Sequence, residues 1–190
     1  MSNEAEVFRR AFEDTIALHE RMKGDAVPAL RAAEAIVNVL RAGGKVMLFG
    51  NGGSAADAEH AAAELVGRFR RDRPAFAAMA LTTNASVLTS VSNDYAFEQV
   101  FVRQIEAFGR PGDVAVAIST SGASPNVVSA LAAARRRGLS TIALTGRDGG
   151  AAGRAADIHV NVPSDSTPRV QEVHRTLLHV ICDVVEGALA

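Results

Sequence analysis

Apolar residues first recur along this chain at helical spacing. They fall at Val7, Phe8, Phe12 and Ile16 within residues 4–23, and at Leu30, Ala33, Ile36, Val37 and Leu40 within residues 27–42. Both stripes predict amphipathic helices, separated by the turn GDAVP and closed by Gly43 and Gly44. From residue 45 the rhythm changes. Short apolar runs at 45–49, 76–81, 114–119, 141–145 and 158–162 alternate with helical stretches at 54–69, 85–91, 97–108, 125–137, 151–155 and 168–189. Runs that are apolar at nearly every position predict strands covered on both faces, and the alternation predicts a parallel sheet. The expected fold is therefore a three-layer, doubly wound α/β domain spanning 1–190. Its first 44 residues form added helices ahead of a five-stranded core with a long C-terminal helix. The two added helices must bury their stripes on this domain or on another copy of the chain, and a homo-oligomer is expected.

Composition narrows the function without changing the fold. A chain of 190 residues that is 48% apolar can bury one full core. Its net charge of -1 comes from interspersed acids and bases, which argues against nucleic acid or a membrane surface as partner and leaves small charged ligands. The start MSNEAEVFRRAFEDT is acidic rather than signal-like, Cys182 is the only cysteine, and no apolar run reaches the ~18 residues of a membrane span. A cytoplasmic protein is expected.

Chemistry is concentrated in three places. After the first strand, Gly50, Gly52 and Ala55 match the G-x-G-x-x-A dinucleotide fingerprint. That fingerprint also needs a ribose-binding carboxylate at the end of the next strand, and no acid occurs between Ala75 and Ser92. What remains is a turn whose Asn51, Gly52 and Gly53 bring backbone amides to a polar ligand, with Ser54 and Asp57 as a capping box, or a glycine turn needed only for tight packing. After the third strand, ISTSGASPNVV sets the hydroxyls of Ser119, Thr120, Ser121 and Ser124 around a glycine at a helix start. Unpaired amides and the helix dipole favour an anion there, and phosphate is the natural guest. Ser124 as N-cap and Pro125 at the first helical position account for two of these residues but not for the other hydroxyls.

The third place combines two helices. His60 and Glu64 are four apart and share one helix face. They suit two ligands of a divalent metal, or a general base oriented by an imidazole, or a solvated pair. On the last helix Gln171 and His179 lie on roughly one face with Arg175 between them, and His174 reads as structural or intersubunit. Arg68, one turn past Glu64, is placed to pair with it, with substrate or on the surface.

STSGASPN resembles the phosphosugar signature of the sugar isomerase (SIS) domain. Together with GNGGSAADAEHAAAEL, SNDY, LTGRDGG and RVQEVHRTLLH, the chain resembles the sedoheptulose-7-phosphate isomerases, or phosphoheptose isomerases, over nearly its whole length. The resemblance implies a flavodoxin-like sheet, a homotetramer, and conversion of sedoheptulose 7-phosphate to D-glycero-D-manno-heptose 7-phosphate through a cis-enediol, the first step toward nucleotide-activated heptose. It further implies one zinc per subunit held by His60, Glu64, Gln171 and His179, with Glu64 and His179 as the catalytic pair. Asn51, Gly52 and Gly53 would meet the sugar hydroxyls, Asn93 and Asp94 the reactive end, and Ser119, Thr120, Ser121 and Ser124 the phosphate, with Glu64 and Gln171 also touching substrate. By the plain reading, SNDY is a turn between helices and TGRDGG a loop after the fourth strand. Pro168 and Asn84 stand where relatives often carry an acid, which bears on substrate fine-tuning. Two other readings are a non-catalytic relative that binds the bacterial replication initiator and a different SIS phosphosugar enzyme. The first lacks the groups at positions 64 and 179 that this chain has, and the second differs in the helices flanking the sheet.

Overall fold

The computed structural model describes residues 3–190. Helices α1 (Asn3–Met22) and α2 (Val27–Arg41) precede β1 (Val46–Gly50), and α3 (Gly53–Val66) leaves the end of that strand. There follow β2 (Ala78–Ala80), α4 (Ala85–Asp94), a 3₁₀ turn at Phe97–Gln99 and α5 (Val102–Phe108). β3 (Val114–Ser119), α6 (Pro125–Arg136), β4 (Ser140–Gly146), α7 (Gly150–Ala155), β5 (Ile158–Val162) and α8 (Thr167–Leu189) complete the chain. The five strands pair in parallel in the order β2-β1-β3-β4-β5, which is the flavodoxin-like order.

Strand periodicity divides the core into two. Val46, Leu48, Val116, Ile118 and Leu144 point to the layer of α2, α3 and α8, whereas Met47, Phe49, Ala115, Ala117 and Ala143 point to α5, α6 and α7. Every residue of β1 and β3 is buried, as uniformly apolar runs require. Because α3 and α6 leave the neighbouring strands β1 and β3 toward opposite faces, a crevice opens at the carboxyl ends of those two strands. Ligands of open α/β sheets bind at this kind of switch point.

Several expected boundaries move for local reasons. The second strand shrinks from 76–81 to three half-buried residues, as suits a sheet edge, with Phe76 packed on the core. The third helix stops at Val66 rather than 69, because the Arg73 guanidinium takes the carbonyls of Glu64, Leu65 and Gly67. The expected helix at 97–108 divides into the 3₁₀ turn and α5. SNDY is not a turn between helices: Asn93 and Asp94 form the last turn of α4, whose start is capped by Asn84 accepting from the Val87 amide.

The two leading helices behave differently. α2 buries Ala29, Ala32, Ala33, Ile36 and Val37 within the domain. α1 fully buries only Leu18, which packs with Met22 on Val170, Val173 and Leu177 of α8, and adds polar contacts from Thr15 to Glu172 and from His19 to Thr176. Its stripe of Val7, Phe8, Phe12 and Ile16 stays 57–67% exposed, with the two phenyl rings 4.8 Å apart.

At the amino ends of the central strands, opposite the crevice, the Asp113 carboxylate joins the starts of β1 and β3. It accepts from the Lys45 amide at 2.9 Å, the Lys45 ammonium at 2.5 Å and the Arg110 amide at 2.8 Å. Burial pushes this carboxyl up, but the Lys45 ammonium and the two amides outweigh it and hold it below the ordinary aspartate value. Its folded pKa is therefore lower than its unfolded one, so its stabilisation is present at neutral pH and is lost as pH falls through the folded value. Asp113→Asn should cost about 2–4 kcal/mol at pH 7. In urea titrations the gap between variant and wild type should narrow as the buffer is taken down to about pH 3; a gap that is independent of pH would contradict the assignment.

Candidate active site

The turn after β1 uses each glycine differently. A Cβ on Gly50 would lie 2.7 Å from the Ile118 carbonyl oxygen, so β1 and β3 approach this closely only with glycine there. Gly52, at φ 57°, is the N-cap of α3, and a Cβ on Gly53 would lie 2.4 Å from the Gln171 amide nitrogen. The expected capping box of Ser54 and Asp57 does not form. Glycine backbone freedom starts the helix at Gly53, and the buried Asp57 carboxylate instead accepts from Arg175 at 2.7 and 3.1 Å.

Across the crevice, Ser124 holds the N-cap position of α6 with Pro125 at its first turn, yet its hydroxyl caps nothing. It lies 3.3 Å from the Ser119 hydroxyl, facing the crevice. The Asn51 amide exchanges two hydrogen bonds of 2.9 Å with the amide of Asn126, which is buried at the start of α6, so the two ligand loops are tied to each other. TGRDGG is more than a connecting loop. It buttresses the serine loop from behind: a Cβ on Gly122 would lie 2.1 Å from the Gly149 carbonyl oxygen, and the Ala152 amide donates to Gly122 at 2.8 Å.

Between these loops lies a cavity of about 300 Å³. Asn51, Gly52, Gly53 and Ser54 form one wall, Ser119, Thr120 and Ser124 the other, and Thr167 and Gln171 of α8 close the end. Gln171 also lines a second cavity of about 510 Å³, together with His19, Arg175, Thr176 and His179. Ser121 is absent from the lining, and its hydroxyl accepts from the Ala123 amide within its own loop.

About two turns beyond Gly53 and Gln171 along α3 and α8, the Nε2 atoms of His60 and His179 face each other at 2.8 Å, and His60 Nε2 lies 3.4 Å from Glu64 Oε1. One ring must present a protonated Nε2 and the other a lone pair. The ligand atoms of His60, Glu64 and His179 all lie within 4.8 Å of one another, close enough to hold a metal ion. Two imidazole nitrogens and a carboxylate oxygen form the donor set of a catalytic zinc site with a position left open, so these residues fit that group.

Known proteins share this fold. The SIS domain family model matches residues 11–146. The phosphoheptose isomerase of Rhodospirillum rubrum is 52% identical over 181 residues, 95% of this chain and 96% of that protein. The solved phosphoheptose isomerase of Neisseria gonorrhoeae superposes with a TM-score of 0.93 at 43% identity, over 97% of this chain and 100% of that one. The one from Francisella tularensis gives 0.95 at 35% identity, over 98% and 100%. This chain is a member of the SIS-domain phosphoheptose isomerase family. Because the relatives span α8, the likeness extends past the end of the family model to Gln171 and His179.

Not every residue expected at a phosphoheptose isomerase site meets the cavity. Asn93 donates its amide to Asp94 at the exposed end of α4, and neither lines the cavity of this chain. Arg68 is exposed and makes no ion pair with Glu64. His174 is structural rather than intersubunit: it is fully buried, and its Nε2 donates to the Thr145 carbonyl at 2.9 Å. Burial pushes its pKa down, so it is neutral, with the Nδ1 lone pair unpartnered. Pro168 occupies the first turn of α8, where a missing amide proton costs nothing. Sequence reasoning missed Asn126, Thr167 and the Asp57–Arg175 pair. Asn126 and Asp57 left a trace in the sequence as polar residues on helix faces that are otherwise apolar.

The glycine assignments lead to a contrast. Gly53→Ala meets only the end of a flexible side chain, so it should shift the Gln171 amide resonances while changing stability by less than about 1 kcal/mol. Gly122→Ala meets backbone at φ 62° and should cost more than about 2 kcal/mol. Equal losses in chemical denaturation would contradict both assignments.

Proposed function

We propose that this chain is a sedoheptulose-7-phosphate isomerase that forms D-glycero-D-manno-heptose 7-phosphate through a cis-enediol, with Glu64 and His179 moving the protons. The observation that carries the reading is the meeting of His60 and Glu64 of α3 with His179 of α8, next to a hydroxyl-lined crevice at the switch point. Gln171 and His179 are eight residues apart, about 12 Å along the α8 axis, which suits a sugar held by its phosphate at one end and reacting at the other. Two of the residues that meet at this cluster, Glu64 and His179, separate the chain from a non-catalytic relative that binds the replication initiator.

The phosphate is assigned to Ser119, Thr120, Ser121 and Ser124 at the start of α6, where hydroxyl and amide hydrogen bonds to an anion contribute about 1.5–3 kcal/mol each and the helix dipole about 0.3–2. Asn51, Gly52 and Gly53 are assigned to the sugar hydroxyls. Glu64 removes a proton from C1 of the ketose and returns it to C2, one carboxylate on one face of the enediol serving both steps. His179 transfers the proton between the two oxygens, and each such step typically supplies ~10²–10⁴ in rate. We assign one zinc per subunit to His60, Glu64 and His179; Gln171, expected as a fourth ligand, packs against Gly53 about two turns of α8 away from His179 and does not reach that cluster within one chain. When bound, the zinc would supply Lewis acidity toward the carbonyl oxygen. Asn93 and Asp94 are assigned to the reactive end of a site completed by neighbouring chains in a homotetramer. The exposed stripe of α1 supports such an assembly, because apolar side chains of this size seldom cluster on a monomer surface. The acting unit is the whole of 1–190. The absence of any helix long and apolar enough to cross a membrane, among the described residues, is consistent with action in the cytoplasm.

Proton NMR in D₂O of sedoheptulose 7-phosphate with zinc-loaded protein should show aldose formation, with deuterium entering C2 to the extent that the shuttled proton exchanges. Glu64→Gln should lower the rate by ~10²–10⁴. If wild type yields no aldose and the C1 protons never exchange, the reading fails for this substrate. Phe8→Glu with Phe12→Glu should convert a tetramer into smaller species by light scattering; a wild-type monomer would remove the assembly from the proposal.

A further inference from the structure

The segment that follows α3 is held on α8 by more bonds than a surface connection needs. Glu186, whose side chain is 1% exposed, accepts from the backbone amides of Phe69 at 3.0 Å, Arg70 at 2.8 Å and Arg71 at 2.9 Å. It also accepts from the equally buried Arg73 guanidinium at 3.2 Å. Burial pushes this carboxyl up, yet the three amides and Arg73 outweigh it and hold it below the ordinary glutamate value. Arg73 in turn donates to the carbonyls of Glu64 at 2.8 Å and Leu65 at 2.8 Å, so the same guanidinium grips the backbone of the proposed base.

The clamped segment presents one side chain to the reacting groups. The Phe69 ring lies against the His179 imidazole, with centroids 5.6 Å apart and planes at 28°. Arg70 stands 5.2 Å from that ring centroid and pairs with Asp183 at 3.1 Å. Positions 179, 183 and 186 form one face of α8, and successive residues of the segment engage each of them. An imidazole can swing about χ2 unless something blocks it. His60 meets His179 at its Nε2 edge, and Phe69 covers its flat side.

We propose that Glu186 and Phe69 are positioning residues for the isomerisation: the Glu186 carboxylate fixes the 69–73 segment on α8, and the Phe69 ring so held sets the orientation in which His179 faces His60 and Glu64. The proposal rests on the isomerase reading. It predicts that damage to the clamp slows proton transfer without weakening substrate binding, because the phosphate loop is built from β3 and α6, which the clamp does not touch.

The test compares wild type with Phe69→Leu, Phe69→Tyr and Glu186→Gln. For each, kcat and KM for sedoheptulose 7-phosphate are measured separately and referred to the folded fraction. In metal-free protein, the downfield proton resonance of the His60–His179 ring hydrogen bond is followed as well. Phe69→Leu should lower kcat about tenfold or more with KM within about twofold, and should broaden or shift the ring proton. Phe69→Tyr, which keeps a stacking ring, should restore both, and Glu186→Gln should behave like Phe69→Leu. Wild-type kcat and an unchanged ring proton in Phe69→Leu would overturn the proposal, as would a loss that Phe69→Tyr does not restore. If Glu186→Gln does not fold, the two Phe69 variants decide. If wild type is inactive, the isomerase reading has failed, and the ring proton alone judges whether Phe69 positions His179.

Discussion

The site depends on the register of α3 against α8. The two helices run side by side in the same direction, and their contacts form rungs spaced about one turn apart. Gly53 meets Gln171, Asp57 pairs with Arg175, and His60 faces His179. Beyond the helix end, the 69–71 amides meet Glu186. A slip of one residue on either helix would turn each partner by about 100° and break every rung at once. The rungs also differ in kind. The first is a close contact between a glycine and a flexible side-chain end, the second joins opposite charges, and the last satisfies a buried carboxylate, so the register is specified chiefly by charge and hydrogen bonding. The imidazole pair between them has its position imposed from both sides.

The sheet supplies the second half of the geometry. The pairing of Gly50 with Ile118 places the ends of β1 and β3 side by side, and the helices that follow diverge to opposite faces. The loops at the two strand ends therefore cannot separate, and the reciprocal amides of Asn51 and Asn126 lock them further. A ligand in the crevice meets backbone and hydroxyl groups already held in place, so little ordering free energy is spent on binding. The pin at Asp113 sits at the far end of the same two strands, away from the ligand loops.

Much of this was legible in the sequence because it rests on local periodicity. All five strands, both helix layers and the two ligand loops follow from apolar spacing and glycine placement, with boundary shifts of a few residues. The pairing of His60 with Glu64 is also local, being one turn of one helix. What the residues alone did not reveal is long range. That His179 rather than His174 reaches His60 depends on the rotation of α8 about its axis, and that rotation is set by contacts more than a hundred residues apart in sequence. Glu186 reads on a helical wheel as one more solvated acid near a chain end. It is buried because three amides of a non-helical segment need an acceptor, and no residue pattern announces that need. Ser121 differs from the other hydroxyls of its loop: its oxygen accepts from the Ala123 amide, which leaves its proton to donate to an anion. The capping box failed, since Asp57 had a stronger partner in Arg175 than a backbone amide.

The leading helix brings the two scales together. α1 docks on α8 through one small apolar contact, Leu18 and Met22 against Val170, Val173 and Leu177, and a set of polar ones: Thr15 to Glu172, Arg169 to Thr15, and His19 bridging the Thr15 carbonyl and the Thr176 hydroxyl. The polar contacts orient a helix well but contribute little net free energy when partly exposed, while the apolar face that would hold it firmly points outward. His19 also lines the larger cavity beside His179 and Gln171. The element with the largest unburied apolar face is thus the one that forms part of the wall next to the reacting groups. Whatever covers Phe8 and Phe12 also steadies that wall, so assembly and site geometry are coupled through a single helix.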